Sequence, residues 1–177
     1  MKNRLIILSD LWGTTDTRWV SMYVDKLSED FEVTFYSSCE LAEMTEKNLS
    51  EEERHHFFVN GGIEKAVKNL IELEKERLTV LAFSIGGTIV WKACLKGLDV
   101  ESLYTVSATR LRYEIEKNKG KIVLYYGEKD TYKPNNSWFE KMEVDYRIIP
   151  KKVHEMYKEE EFAERLCLQV KSSYEII

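Results

Sequence analysis

Thr79-Val80-Leu81-Ala82-Phe83-Ser84-Ile85-Gly86-Gly87-Thr88-Ile89-Val90 is the stretch that decides the fold. Five strand-forming residues run into Ser84, and apolar residues at helical spacing begin directly after it. A strand, a serine and a helix joined without a spacer need a very tight turn, which brings two backbones close on either side of the serine. Small residues are therefore required two positions before and two after it. Ala82 and Gly86 hold those positions, and Gly87 gives further room. Such a turn pushes the hydroxyl out at the C-terminal edge of a sheet. It also sets the Ile85 N–H at a helix N-terminus, where it can donate to developing negative charge. By itself the pattern is weak, because a loop serine in a glycine-rich turn reads the same way.

Outward from this junction, short apolar runs alternate with segments of helical periodicity. Strands are expected at residues 4–9, 32–36, 79–83, 102–106, 121–126 and 145–149, mostly continuous in apolarity, as strands buried on both faces should be. Helical stripes follow from Trp19, Val20, Tyr23, Val24 and Leu27, from Ile63, Val67, Leu70 and Ile71, and from Ile89, Val90, Ala93 and Cys94, closed by Gly97. Phe162, Leu166 and Val170 line a last helix, with Lys158 to Glu161 as its solvated face. The alternation predicts an α/β chain: a single-domain three-layer α/β/α sandwich on a six-stranded, mainly parallel sheet. A length of 177 residues fits one such domain. Residues 37–60, with Glu51-Glu52-Glu53 and His55-His56, are weakly patterned and read as a short helix plus loop.

Composition narrows the class. A net charge of −5 argues against nucleic acid or an anionic membrane as partner, since either wants a basic face. The apolar run Leu5–Leu8 is too short for a signal peptide, and no segment approaches the roughly 20 apolar residues of a membrane span. Cys39, Cys94 and Cys167, odd in number and far apart, read as reduced thiols of a cytoplasmic protein.

Ser84 is a poor nucleophile alone and needs a base, which in turn needs an orienting carboxylate. Of the three histidines, His154 lies just past the final expected strand, whereas His55 and His56 precede the strand of Ser84. Asp130, in Gly127-Glu128-Lys129-Asp130, follows the fifth strand; Glu128 is its competitor, expected to face solvent. Singly, His154 reads as a surface or capping residue and Asp130 as a helix cap or turn former. Parallel strands end on one edge, so Ser, Asp and His, each just past a different strand, can converge there.

With these residues in hand, the chain resembles the α/β-hydrolase family over nearly its whole length. The resemblance rests on Ala82-Phe83-Ser84-Ile85-Gly86, on Leu124-Tyr125-Tyr126-Gly127-Glu128-Lys129-Asp130, on His154, and on Ser9-Asp10-Leu11-Trp12-Gly13 after the first strand. It implies Ser84, Asp130 and His154 as a catalytic triad. It further implies Leu11 and Ile85 N–H groups as oxyanion donors, with Trp12 as the fallback for Leu11. A strand order of second, first, third, fourth, fifth, sixth follows from it as well. Two departures stand out. Ala82 replaces the usual glycine, and Ser9-Asp10 replaces His-Gly, which places a carboxylate near the site. Residues 107–120 are too few for a cap domain, so the site should be shallow or covered by residues 37–60 with Phe57 and Phe58.

The leading function is hydrolysis of a small carboxylic ester or acyl thioester, a small-molecule acyl substrate, with no metal or organic cofactor required. Trp12, Arg110 and Arg112 border the same edge as candidate substrate-binding residues. The arginines could take a carboxylate or phosphate, or pair with Glu114, Glu116 or Asp10. Adjacent His55 and His56 point apart and lack a third ligand, so no metal site is expected. The alternative is a catalytically silent binding or regulatory module on the same fold. A flavodoxin-like nucleotide binder is a third reading, disfavoured because no phosphate-cradling loop follows the first strand. Oligomeric state is left open.

Overall fold

The computed structural model describes residues 2–173, and among them six strands form one all-parallel sheet. In chain order the elements are β1 (Asn3–Leu8), α1 (Val20–Leu27), β2 (Phe31–Tyr36), α2 (Ser38–Leu41), α3 (Glu51–Phe57), α4 (Ile63–Leu73), β3 (Leu78–Phe83), α5 (Ile85–Leu95), β4 (Val100–Val106), β5 (Lys121–Gly127), α6 (Asn136–Met142), β6 (Asp145–Ile149) and α7 (Glu160–Ser172). The strands lie in the order β2-β1-β3-β4-β5-β6.

Successive strand side chains face opposite ways, so strands that are apolar throughout seal two cores. Leu5, Ile7, Leu81 and Phe83 pack under α1 and α7. Ile6, Leu8, Val80 and Ala82 pack under α4, α5 and α6. The result is three layers. Strand β3 at the centre is buried at all six residues, and α5 behind it is buried almost all round, which is why neither shows a polar face in the sequence. Helix α5 ends as expected: Gly97 takes φ +103, and Leu98 N donates to Ala93 O at 3.0 Å.

Strand order reverses between β1 and β3, and in parallel sheets such a switch point opens a crevice at the strands' C-terminal ends. Register pairs Leu8 with Ala82, so the loop after β1 and the Ser84 turn leave the sheet side by side. Between β4 and β5 the chain makes only a loop with a 3₁₀ turn at Leu111–Tyr113.

Two expectations are corrected. Residues 37–60 do not cover the site with phenylalanines, because Phe58 is fully buried in the α4–α5 core and Phe57 packs edge-on against it. The segment instead holds α2 and α3; Ser50 Oγ accepts from Glu53 N at 3.2 Å while Glu53 Oε2 accepts from Ser50 N at 2.7 Å, a reciprocal cap that starts α3. Lys158 is not on the solvated face of α7, which begins at Glu160. It belongs to a 3₁₀ stretch, His154–Lys158, and bonds Asp16 at 3.2 Å and Glu155 at 2.9 Å. Burial pushes the Cys94 thiol up to about 12 and the Cys167 thiol to about 11, so both behave as small apolar residues.

Candidate active site

Ser84 occupies the turn between β3 and α5 with φ +51° and ψ −120°, a backbone shape that costs about 1–3 kcal/mol and persists only where neighbours impose it. They do so here. Ser84 N donates to Val106 O at 2.9 Å, and Ser84 O accepts from Gly87 N at 3.1 Å and Thr109 N at 3.3 Å. Position 86 must be glycine: a Cβ there would lie 2.5 Å from Ser9 O and 3.0 Å from Leu8 Cβ.

Three side chains from three strand ends meet at this turn. His154 Nε2 lies 3.1 Å from Ser84 Oγ, and His154 Nδ1 lies 2.9 Å from Asp130 Oδ2. The Asp130 carboxylate is wholly covered, and its second oxygen accepts from Tyr132 N at 2.9 Å. The His154 side chain keeps 23% of its surface exposed, enough for a bound molecule to reach it. Glu128, the competing acid, lies outside this line; it is exposed and accepts from Lys151 N at 2.8 Å. Ser107 was not anticipated from the sequence. It is fully buried just past β4, and its Oγ donates to His154 O at 2.7 Å, pinning the turn that carries the imidazole. Its only signal in the sequence is its place at the same sheet edge.

The N–H groups of Leu11 and Ile85 meet no hydrogen-bond acceptor among the described residues, and both residues line the cleft at Ser84. Trp12, the fallback donor, is corrected: its N–H is already given to Asp10 Oδ1 at 3.0 Å. Asp10 is 1% exposed, and its Oδ2 accepts from Tyr157 Oη at 3.0 Å. Burial pushes its carboxyl above the ordinary carboxylate range, and the bonds from Trp12 and Tyr157 oppose that shift. Both Asp10 oxygens are thus engaged by the protein. The Leu11–Thr15 loop is braced from its other side by Arg54, a buried cation with no carboxylate partner among the described residues. Arg54 donates to Lys47 O at 2.6 Å, Leu49 O at 3.1 Å and Thr15 Oγ1 at 3.5 Å, and lies 5.2 Å from the Trp12 ring centroid.

Around Ser84 the cleft measures about 680 Å³. Arg110, Arg112 and Trp12 line it, as does α3 through Glu51, Glu52 and His55. The arginines do not pair with Glu114, Glu116 or Asp10; Glu114 takes Lys92 at 3.0 Å. Arg112 donates to Thr109 O, to Tyr132 O at 3.1 Å and to Tyr113 Oη at 3.1 Å. Burial, and then the charges of Arg110 and Arg112, hold His55 below the usual imidazole range. No group of three or more His, Cys, Asp or Glu among the described residues is arranged to hold a metal ion, and no described helix is long and apolar enough to cross a membrane.

No protein-family model matches the chain, and no curated protein matches it. Solved structures do. A predicted CIB-like hydrolase from Thermoplasma acidophilum superposes with a TM-score of 0.69 at 18% identity, covering 96% of this chain and 86% of that one. Carboxylesterase CesB (YbfK) from Bacillus subtilis gives 0.64 at 12% identity, covering 97% and 83%. XC6422 from Xanthomonas campestris, described as an a/b serine hydrolase without lid, gives 0.62 at 13% identity, covering 97% and 83%. At such identities the likeness is one of architecture. Strand order, the tight β3–α5 turn and these superpositions together establish that this chain has the α/β-hydrolase fold.

Proposed function

We propose that the protein is a serine hydrolase that cleaves a small carboxylic ester or acyl thioester through an acyl-enzyme. The observation that carries this reading is the unbroken line Ser84 Oγ–His154 Nε2–His154 Nδ1–Asp130 Oδ2, at 3.1 Å and 2.9 Å, beside two unclaimed N–H groups. With Asp130 as carboxylate, Nδ1–H donates to it and the Nε2 lone pair faces the serine hydroxyl. Ser84 Oγ attacks the acyl carbon as its proton passes to Nε2. The carbonyl π electrons move onto oxygen, where the Leu11 and Ile85 N–H groups stabilise the charge. Collapse breaks the bond to the leaving alcohol or thiol, which takes the proton from Nε2. Water then attacks the acyl-serine by the same proton route, releasing the acid and restoring Ser84. The carboxylesterase among the structural neighbours supports the ester class.

A fluorophosphonate should label wild-type protein at Ser84 and leave Ser84→Ala untouched. A panel of short p-nitrophenyl esters and acyl thioesters should be turned over by wild type only. Folded wild type that is unlabelled and no faster than Ser84→Ala would replace this reading with the silent binding module.

A further inference from the structure

Resting on that reading, we infer that Arg110, braced by Arg112, forms a subsite for an anionic group of the substrate, so that the preferred ester or thioester carries a carboxylate or phosphate. Three observations lead there. First, the Arg110 guanidinium is half-buried on the wall of the Ser84 cleft and has no hydrogen-bond or carboxylate partner among the described residues; it only lies over the Tyr113 ring, 4.9 Å from its centroid. Second, Arg112 shares that ring at 4.4 Å, so two like charges sit together with no salt bridge to either among the described residues, a repulsion an anion would relieve. Third, the segment is fixed to the nucleophile turn, because Thr109 N donates to Ser84 O at 3.3 Å and Arg110 N to Thr88 Oγ1 at 3.3 Å.

No carboxylate of the cleft forms a salt bridge with either arginine among the described residues. Asp10 holds Trp12 and Tyr157, and Glu155 takes Lys158 at 2.9 Å. Glu51 and Glu52 are exposed in the first turn of α3, where the positive helix end favours them, and neither forms a salt bridge with an arginine among the described residues. Arg112 is committed to backbone oxygens and acts as the brace, leaving Arg110 as the contact.

The test compares kcat/KM for p-nitrophenyl butyrate with p-nitrophenyl hemiglutarate (anion on the acyl side), and S-acetyl-N-acetylcysteamine with S-acetyl-coenzyme A (anions on the leaving group). Wild type should favour the anionic member of at least one pair by tenfold or more. Arg110→Gln should erase that preference through KM and Arg110→Lys should restore part of it, each checked by a thermal melt. Equal rates within both pairs, or a preference that survives Arg110→Gln, overturns the subsite. Failure of the parent reading looks different: wild type would then hydrolyse none of the four and resist fluorophosphonate.

Discussion

Tyr157 Oη donates to Asp10 Oδ2 at 3.0 Å, tying the 3₁₀ stretch that begins with His154 to the loop that carries Leu11. The other oxygen of the same carboxylate fixes Trp12 N–H at 3.0 Å. One buried group therefore joins the stretch of the proposed base to the loop of the proposed oxyanion donor.

Asp10→Ala should lower kcat for p-nitrophenyl acetate about 10- to 100-fold with little change in KM, short of the about 10²–10³ for outright loss of a donor. Two buried donors would lose their acceptor, at about 1–3 kcal/mol, so the melting temperature should fall by roughly 2–10 °C. Kinetics on protein shown to be folded decide this; an unchanged kcat refutes the role given to Asp10.

Asp10 also makes stability depend on pH in a stated direction. Burial raises its folded pKa above the ordinary value, so the folded state holds this proton more tightly than the unfolded chain does. The contribution is fully favourable below the unfolded pKa and is lost as pH rises through the folded one. Asp10→Asn, neutral and isosteric, should therefore gain stability relative to wild type as pH rises above about 4. Urea midpoints of the two proteins across that range measure it, and a difference that stays flat contradicts the assignment.

Asp130→Asn should cut kcat by about 10³–10⁴ while leaving the fold intact, because an amide cannot hold the same imidazole tautomer. Glu128→Gln should stay within about twofold of wild type, since Glu128 meets only Lys151 N. Reversal of the two results would exchange the acids.

Ser84→Gly should abolish ester turnover yet raise stability by about 1 kcal/mol. Relief of a φ of +51° releases about 1–3 kcal/mol, against about 0.5–1 kcal/mol for the added freedom of glycine in the unfolded chain. Chemical denaturation checks the sign, and a less stable glycine variant would show that the turn is not strained.

Much of the fold was legible in the sequence because burial on both faces writes strands as continuous apolar runs. All six strands fall within two residues of their expected bounds. The elbow was legible because Gly86 has a steric cause two residues from Ser84. The convergence of Ser84, Asp130 and His154 followed from one geometric rule about parallel strand ends. Long-range contacts were not legible. Arg54 reads as one more charge after Glu51-Glu52-Glu53, and only the folded loops supply the carbonyls that bury it. Phe58 looked like a site cover because nothing local shows which side of the chain just after α3 turns inward. The cap Ser50–Glu53, by contrast, was readable and would have placed the start of α3.

Seventy positions of chain separate Ser84 from His154, and the imidazole rides on a brief 3₁₀ stretch kinked at Glu155 rather than on a long helix. Short segments of this kind open locally at far lower cost than a central sheet. Esterase activity should thus vanish on warming before the circular dichroism signal does, which makes turnover a thermometer for one turn of the molecule and ellipticity a thermometer for the whole.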